Sequence, residues 1–350
     1  MHTLDLDNCL KYLREKSLVD RDEAIAIELL TGGVSNVVFR VQREAGDEFV
    51  LKQARGQLRV AQPWFCSVER IWREAEVLRI CSARLEDQTG IGAARVLFED
   101  RENYVFTMQA APREHTTWKH RLMSGEVNHE TASACGRMLG RLHAATWGDS
   151  ELAEKLGDRQ FFFDLRVDPY YRRVAEVHSD LREELAELIA SLDANRHCLV
   201  HGDFSPKNLL VWDDPSPHLM LIDCEVGHYG DPAFDLGFML SHLALKAVYF
   251  QRQQPDVVAR ALSLVASFWS AYGDEIRHVI SPNDLDVLQK RAVRNLAGCL
   301  LARIDGKSPV EYLVGEEQQD LVRQLARALF AQQAGNVQSA TEEIGGALAG

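Results

Sequence analysis

The sequence predicts an α+β fold of two lobes, a small antiparallel sheet followed by a larger and mainly helical part. Three observations carry this. At 350 residues the chain exceeds the roughly 150 expected of one domain. Its first third alternates apolar and polar residues between glycine breaks, as half-buried strands do. After "APRE", Ala111 to Glu114, the apolar residues recur mostly at helical period. The lobes are expected at residues 1–110 and 111–350.

Residues 5–16 set Leu6, Leu10 and Leu13 at helical spacing, with Asp5 and Asp7 in the first turn and Arg14 and Lys16 in the last, where they complement the helix dipole. Three antiparallel strands are expected in "AIAIELLTGGVSNVVFRVQREAGDEFVLKQ", interrupted at Gly32 and Gly33 and again at "EAGDE". From Ser67, a candidate cap, Val68, Ile71, Ala75, Leu78 and Arg79 mark a helix of about 16 residues. "ARVLFED" and "NYVFTMQA" read as two more strands, so the first lobe has five strands and one main helix.

In the second lobe, helices are expected over Thr131–Ala145, Arg172–Leu192, Phe234–Phe250, Asp256–Tyr272, Pro282–Arg303 and Glu316–Gln333. "NLLVW" and "HLMLID" form a hairpin about the polar turn "DDPSP", and Ala334–Gly350 reads as a loose tail.

Composition narrows the function. A chain that is 46% hydrophobic and 26% charged has ample material for a core. A net charge of −13 argues against coating nucleic-acid phosphates. The seven cysteines are odd in number and never spaced C-x-x-C, so zinc is not expected and a reducing compartment is. The acidic, amphipathic N-terminus is unlike a signal peptide, and no apolar run approaches the roughly 18 residues of a span, so the expected location is cytoplasmic.

The chemistry concentrates between Leu199 and Gly237. Asp203 lies in His201-Gly202-Asp203, Asn208 follows, and Asp223 ends the second strand of the hairpin, which brings Asn208 and Asp223 to one end. Such hard oxygens suit Mg²⁺, and Asp203 is the candidate base for a hydroxyl nucleophile. The plain alternative is a satisfied polar turn.

H-G-D-F-S-P-K-N followed by I-D-C-E resembles the aminoglycoside phosphotransferase and choline kinase superfamily, whose fold is similar to that of protein kinases. The resemblance implies ATP held between the lobes, with Asp203 as catalytic base and Asn208 and Asp223 as Mg²⁺ ligands. It makes 1–110 the nucleotide-binding lobe and places the catalytic and metal loops and the acceptor site in 111–350.

In that frame Gly32, Gly33, Ser35 and Asn36 form a phosphate-covering loop, although two glycines between strands also suit a hairpin turn. Lys52 is expected to reach the phosphates, or else to be a surface lysine. Its helix partner is Glu74 in preference to Glu76, since residues two apart diverge on a helix. Met108, Gln109 and Ala110 stand where the lobe hinge meets the adenine. His201 and Asp235 either brace the catalytic loop or are ordinary buried polar groups. His143 reads as a packing residue, Trp64 and Phe65 as core or flap, and Lys207 as surface. Arg291, Arg294, Arg303, Asp305 and Lys307 are candidates to close the acceptor side.

Val50–Leu78 resembles methylthioribose kinases in its lysine followed by Q-A, its tryptophan-bearing loop and its E-A-E helix. Asp223-x-Glu225 is similar to their D-P-E, which makes Glu225 a further metal candidate, and choline kinases also carry D-x-E. The sequence departs from methylthioribose kinases at Asn208, and Arg291 and Arg294 do not match their arginine pair. The expected activity is ATP-dependent phosphorylation of a small-molecule hydroxyl, with a methylthioribose-like sugar leading. Aminoglycoside or choline-type acceptors, or a pseudokinase, are the alternatives. The partner expected is that small acceptor, with no nucleic acid and no membrane, and a homodimer is left open.

Overall fold

In the computed structural model, residues 3–31, 36–57, 66–331 and 335–349 are described. Helix α1 (Leu6–Glu15) starts where the Asp5 side chain accepts hydrogen bonds from the backbone of Asp7 and Asn8, both at 3.0 Å. Strands β1 (Ala26–Leu30), β2 (Asn36–Gln42), β3 (Glu48–Ala54), helix α2 (Arg70–Arg84), β4 (Ile91–Ala93), β5 (Val96–Asp100) and β6 (Val105–Gln109) follow. Five of these strands make one antiparallel sheet in the order β1-β2-β3-β6-β5.

Strand alternation decides what each face of that sheet does. Phe49 and Leu51 of β3 pack with Phe39, Val41 and Val105 against α1. Val50, Lys52 and Ala54 take the opposite face, where Val50 and Ala54 join the main core with Ile71, Ala75 and Leu78 of α2. Lys52 is thereby held under the sheet instead of on the surface. The α2 helix begins later than expected, at Arg70, and the Ser67 hydroxyl accepts from Glu69 N at 3.2 Å outside it.

The C-terminal part comprises β7 (Thr116–Thr117), α3 (Trp118–Met123), α4 (His129–Thr146), α5 (Ser150–Lys155), α6 (Gln160–Phe162), a π-helical segment (Phe163–Arg172), α7 (Arg173–Val177) and α8 (Arg182–Ala194). Then come β8 (Cys198–Val200), β9 (Leu209–Asp213), β10 (Pro217–Leu221), β11 (His228–Gly230), α9 (Ala233–Gln253), α10 (Pro255–Ile276), α11 (Pro282–Asp305), α12 (Glu316–Ala331) and α13 (Val337–Ala349). The antiparallel sheet followed by a mostly helical part is the predicted fold class.

Three local expectations are corrected. Arg172–Leu192 is not one helix: its chain leaves the helical region at His178, whose Nε2 bonds Asp305 Oδ2 at 2.7 Å. The tail is not loose, because α13 buries Val337, Ala340, Ile344 and Leu348 as one stripe. The three-residue strand β4, too short to signal itself, pairs in parallel with β10 and ties the two parts together.

Helix α9 is long and apolar enough to cross a membrane by composition, yet 94% of that window is buried within the fold. It is the central core helix. Gly237 lets it approach α11, since a Cβ there would stand 2.5 Å from Asn295 Cβ and 2.6 Å from Leu296 N.

Candidate active site

A cavity of about 620 Å³ opens between the sheet and the helical part. Leu30, Val38, Val50, Lys52, Met108 and Gln109 line it from the sheet side, and Asp203, Asn208, Asp223 and Glu225 from the other.

The loop carrying Asp203 is pinned by its backbone. Gly202 has φ +75°, and a Cβ there would fall 2.9 Å from Val226, so this position requires glycine. Asp235, at the start of α9, accepts from His201 N at 2.7 Å and Gly202 N at 2.8 Å. His143 is more than packing: its Nε2 stands 3.5 Å from that carboxylate and its Nδ1 3.1 Å from the Tyr272 hydroxyl. His201 Nδ1 accepts from Asp203 N at 3.1 Å, which leaves Nε2 to donate to the Ile222 carbonyl at 3.1 Å. Burial lowers the His201 pKa, in keeping with this neutral tautomer. His201 thus joins the Asp203 loop to the strand end before Asp223.

Asp203 is 3% exposed and ringed by donors. Arg166 Nη2 reaches it at 2.9 Å, Lys207 Nζ at 2.9 Å and Asn208 Nδ2 at 2.8 Å. Against the cost of burial, Arg166 and Lys207 hold its carboxyl well below the usual range. Arg166 escapes sequence reading because it sits in the π-helical segment, where no helical spacing aligns it; its Nε also bonds the Gly202 carbonyl at 2.8 Å. Lys207, expected at the surface, is half-exposed along its stem but delivers its ammonium to Asp203.

The hairpin places the oxygen donors together. Leu209 pairs with Leu221, and Ile222 N bonds the Asn208 carbonyl at 3.1 Å, so Asn208 and Asp223 share one end. The Asn208 amide nitrogen is spent on Asp203, which leaves Oδ1 for a cation. Asp223 has φ +67°, a left-handed conformation unusual outside glycine and aimed here into the cavity. These hard oxygens suit Mg²⁺. Among the described residues no group of three or more His, Cys, Asp or Glu could hold a metal alone, so a cation here would share ligand oxygens.

Lys52 Nζ lies 2.5 Å from Glu74 Oε1 and 3.2 Å from Asp223 Oδ1. Glu76 instead pairs with Lys155 near the surface. Three carboxylates crowd this one ammonium, and the pKa values reflect it. Burial, then Asp223 and Glu225, raise Glu74 to about 7 despite Lys52. Although burial acts against its charge, Lys52 is raised by Glu74 and Asp223.

Glu225 lines the cavity, but its Oε2 accepts from Arg70 Nε at 3.0 Å. Arg70 is fully buried and also bonds the Arg55 and Ser67 carbonyls at 2.9 and 3.0 Å. No motif announced it, since an arginine in a charged helix is ordinarily solvated.

Asn36 lines the cavity with its buried Oδ1 unpartnered. Met108 and Gln109 line it too, while Ala110 packs on the core and Ala111 takes its place in the wall. Gly32, Gly33, Ser35, Trp64 and Phe65 lie outside the described residues. The arginine cluster does not assemble. Arg291 bonds Asp231 at 2.8 Å, Arg294 bonds Glu187 at 2.9 Å, and Asp305 bonds Arg323 at 2.7 Å, which leaves Arg303 as the member that reaches the cavity.

A methylthioribose kinase of Yersinia pseudotuberculosis is 27% identical over 275 residues, 70% of this chain and 65% of that protein, so less than two thirds of the relative is spanned. An ethanolamine kinase of Plasmodium vivax shares the fold with a TM-score of 0.53 at 12% identity, over 98% of this chain and 88% of that one. An amicoumacin kinase in complex with AMP-PNP and Ca²⁺ does so with a TM-score of 0.52 at 13% identity, over 93% and 94%. These likenesses make the fold the two-lobed, protein-kinase-like one. Residues 26–273, which contain Lys52, Glu74, Asp203, Asn208, Asp223 and Glu225, match the phosphotransferase enzyme family, and the chain belongs to it.

Proposed function

We propose that the protein is an ATP-dependent kinase that transfers the γ-phosphoryl group to a hydroxyl of a small molecule. The observation that carries this is the convergence on one cavity of an ionised Asp203, the Asn208 and Asp223 oxygens, and a buried Lys52 oriented by Glu74. Lys52 positions the phosphates. Asn208 Oδ1 and Asp223 would hold Mg²⁺, with Glu225 joining if it shares its carboxylate with Arg70. Bound there, the cation supplies charge neutralisation at the phosphate oxygens.

Asp203 is too weak a base to remove a hydroxyl proton early, because Arg166 and Lys207 stabilise its ionised form. Its role is to orient the hydroxyl for in-line attack and to take the proton late, as a loose transition state permits. Met108 and Gln109, with Ala111 in the wall, present the hinge edge to the base, and Asn36 faces the phosphates from the end of β2. Seven buried, unpaired cysteines suit a reducing, ATP-containing compartment, the cytoplasm.

The methylthioribose kinase relatives favour an acceptor of sugar type, and the ethanolamine kinase neighbour leaves an amino alcohol as the second reading. The test is a Mg–ATP thermal shift followed by turnover on sugars, aminoglycosides and choline, with product mass measured. A shift together with one phosphoryl group added to an acceptor supports the kinase. A shift with no turnover on these acceptors or on acidic hydroxyl compounds such as glycerate and glycerol 3-phosphate supports a pseudokinase.

A further inference from the structure

The end of the cavity away from the sheet is built by C-terminal elements: Lys119 of α3, His242 of α9, Arg303 of α11 and Ser308, with Tyr170 alongside. Its charge is one-sided. The hydrogen bonds of Arg303 go to the Tyr170 hydroxyl and Ser308 Oγ, both at 3.1 Å, and to the Ser308 carbonyl, none of them a carboxylate. Its Nε is buried without a partner. His242 is 6% exposed, and its Nε2 also lacks a partner. Burial, then Lys246 and Arg303, keep that imidazole neutral, so His242 meets the cavity as an uncharged polar residue of the wall.

Behind this wall lies a buried lysine. Lys246, one turn beyond His242 and 1% exposed, reaches the His242 carbonyl at 3.2 Å and the face of Tyr312 at 5.4 Å. Lys119 approaches the same ring at 5.9 Å, and the Tyr312 hydroxyl is unpartnered. The nearby acid, Glu311, is already paired with Lys119. Burial first, then Lys119 and Arg303, push Lys246 down to about 7, with Glu311 alone opposing them among the causes. Such an arrangement is costly in a free protein and becomes favourable when a ligand brings the missing anion.

We propose that this end of the cavity is an anion subsite, and that the phosphoryl acceptor is a hydroxyl compound that also carries a carboxylate or a phosphate, bound by Arg303 where Lys119 and His242 line the same end. This deepens the kinase reading and rests on it. It favours an acidic sugar or polyol over a neutral thiosugar, a polycationic aminoglycoside or a quaternary amine, each of which would leave the subsite uncompensated or repelled.

The test is the thermal shift of the full chain saturated with Mg–AMP-PNP, which fills the nucleotide phosphate positions, on adding glycerate, glycerol 3-phosphate, glycerol or choline at equal ionic strength. The two acids are expected to raise Tm and the other two are not, and the larger of the two acid shifts tells carboxylate from phosphate. Arg303→Gln is expected to remove more than half of the acid shift and Arg303→Lys to keep most of it. No acid shift, one equalled by choline or glycerol, or one undiminished in Arg303→Gln overturns the subsite. Absence of the Mg–AMP-PNP shift itself would remove the kinase reading as well, which separates the two failures.

Discussion

Replacing Glu74 by glutamine tests the crowding of carboxylates around Lys52. Glu74 is fully buried, touches Lys52 with one oxygen and leaves Oε2 without a partner. Its folded-state pKa stands above its ordinary value, so the stability associated with its protonated form is fully present below pH 4.5 and is lost as pH climbs to about 7. Moving a carboxyl from 4.5 to about 7 corresponds to about 3 kcal/mol, at about 1.4 kcal/mol for each tenfold change in proton affinity. Glutamine keeps the shape and never ionises. In urea unfolding of the ligand-free protein, the stability difference should therefore move toward Glu74→Gln by about 3 kcal/mol between pH 4.5 and about 8. Phosphoryl transfer should fall about a hundredfold, because Lys52 loses its charged guide. A difference that is flat with pH, or that moves toward the parent, refutes the reasoning.

Arg291→Met strips the fully buried Asp231 of its counter-ion and should cost about 3 kcal/mol in urea unfolding. Because this pair lies off the cavity, acceptor KM should stay within about twofold, and a raised KM at unchanged stability would return Arg291 to the acceptor site. Gly237→Ala drives a Cβ to 2.5 Å from Asn295 Cβ, so α9 and α11 must separate and stability should drop by about 2 kcal/mol or more; an unchanged Tm would mean the helices yield freely. Glu225→Gln should raise the Mg²⁺ concentration for half-maximal activity several-fold, and an unchanged requirement would remove Glu225 from the metal set.

Much of the fold was legible because period carries it. The alternation through β3 set Lys52 beside Val50 on the inner face, and the spacing of Ile71, Ala75 and Leu78 turned Glu74 inward with them. The hairpin explained why Asn208 and Asp223 end side by side. What stayed hidden depends on contacts that no spacing encodes. Arg166 reaches Asp203 from a π-helical turn, and Arg70 crosses to Glu225, 155 residues away. Lys207 looked like a surface residue because its stem is one, while its charge is not. The stripe of α13 was masked by small residues and by Gly345 and Gly346. Arg291, Arg294 and Arg303 stood close in sequence, yet helix geometry points them to three separate partners.

The most direct measurement compares the parent with Asp203→Asn in Mg-dependent phosphoryl transfer, with the product followed by mass and Mg–AMP-PNP binding followed by thermal shift. The acceptor should gain one phosphoryl group, the rate should fall by about a hundredfold or more in Asp203→Asn, and the nucleotide shift should survive the substitution. Turnover of Asp203→Asn within a few-fold of the parent, with binding intact, would contradict the role of Asp203.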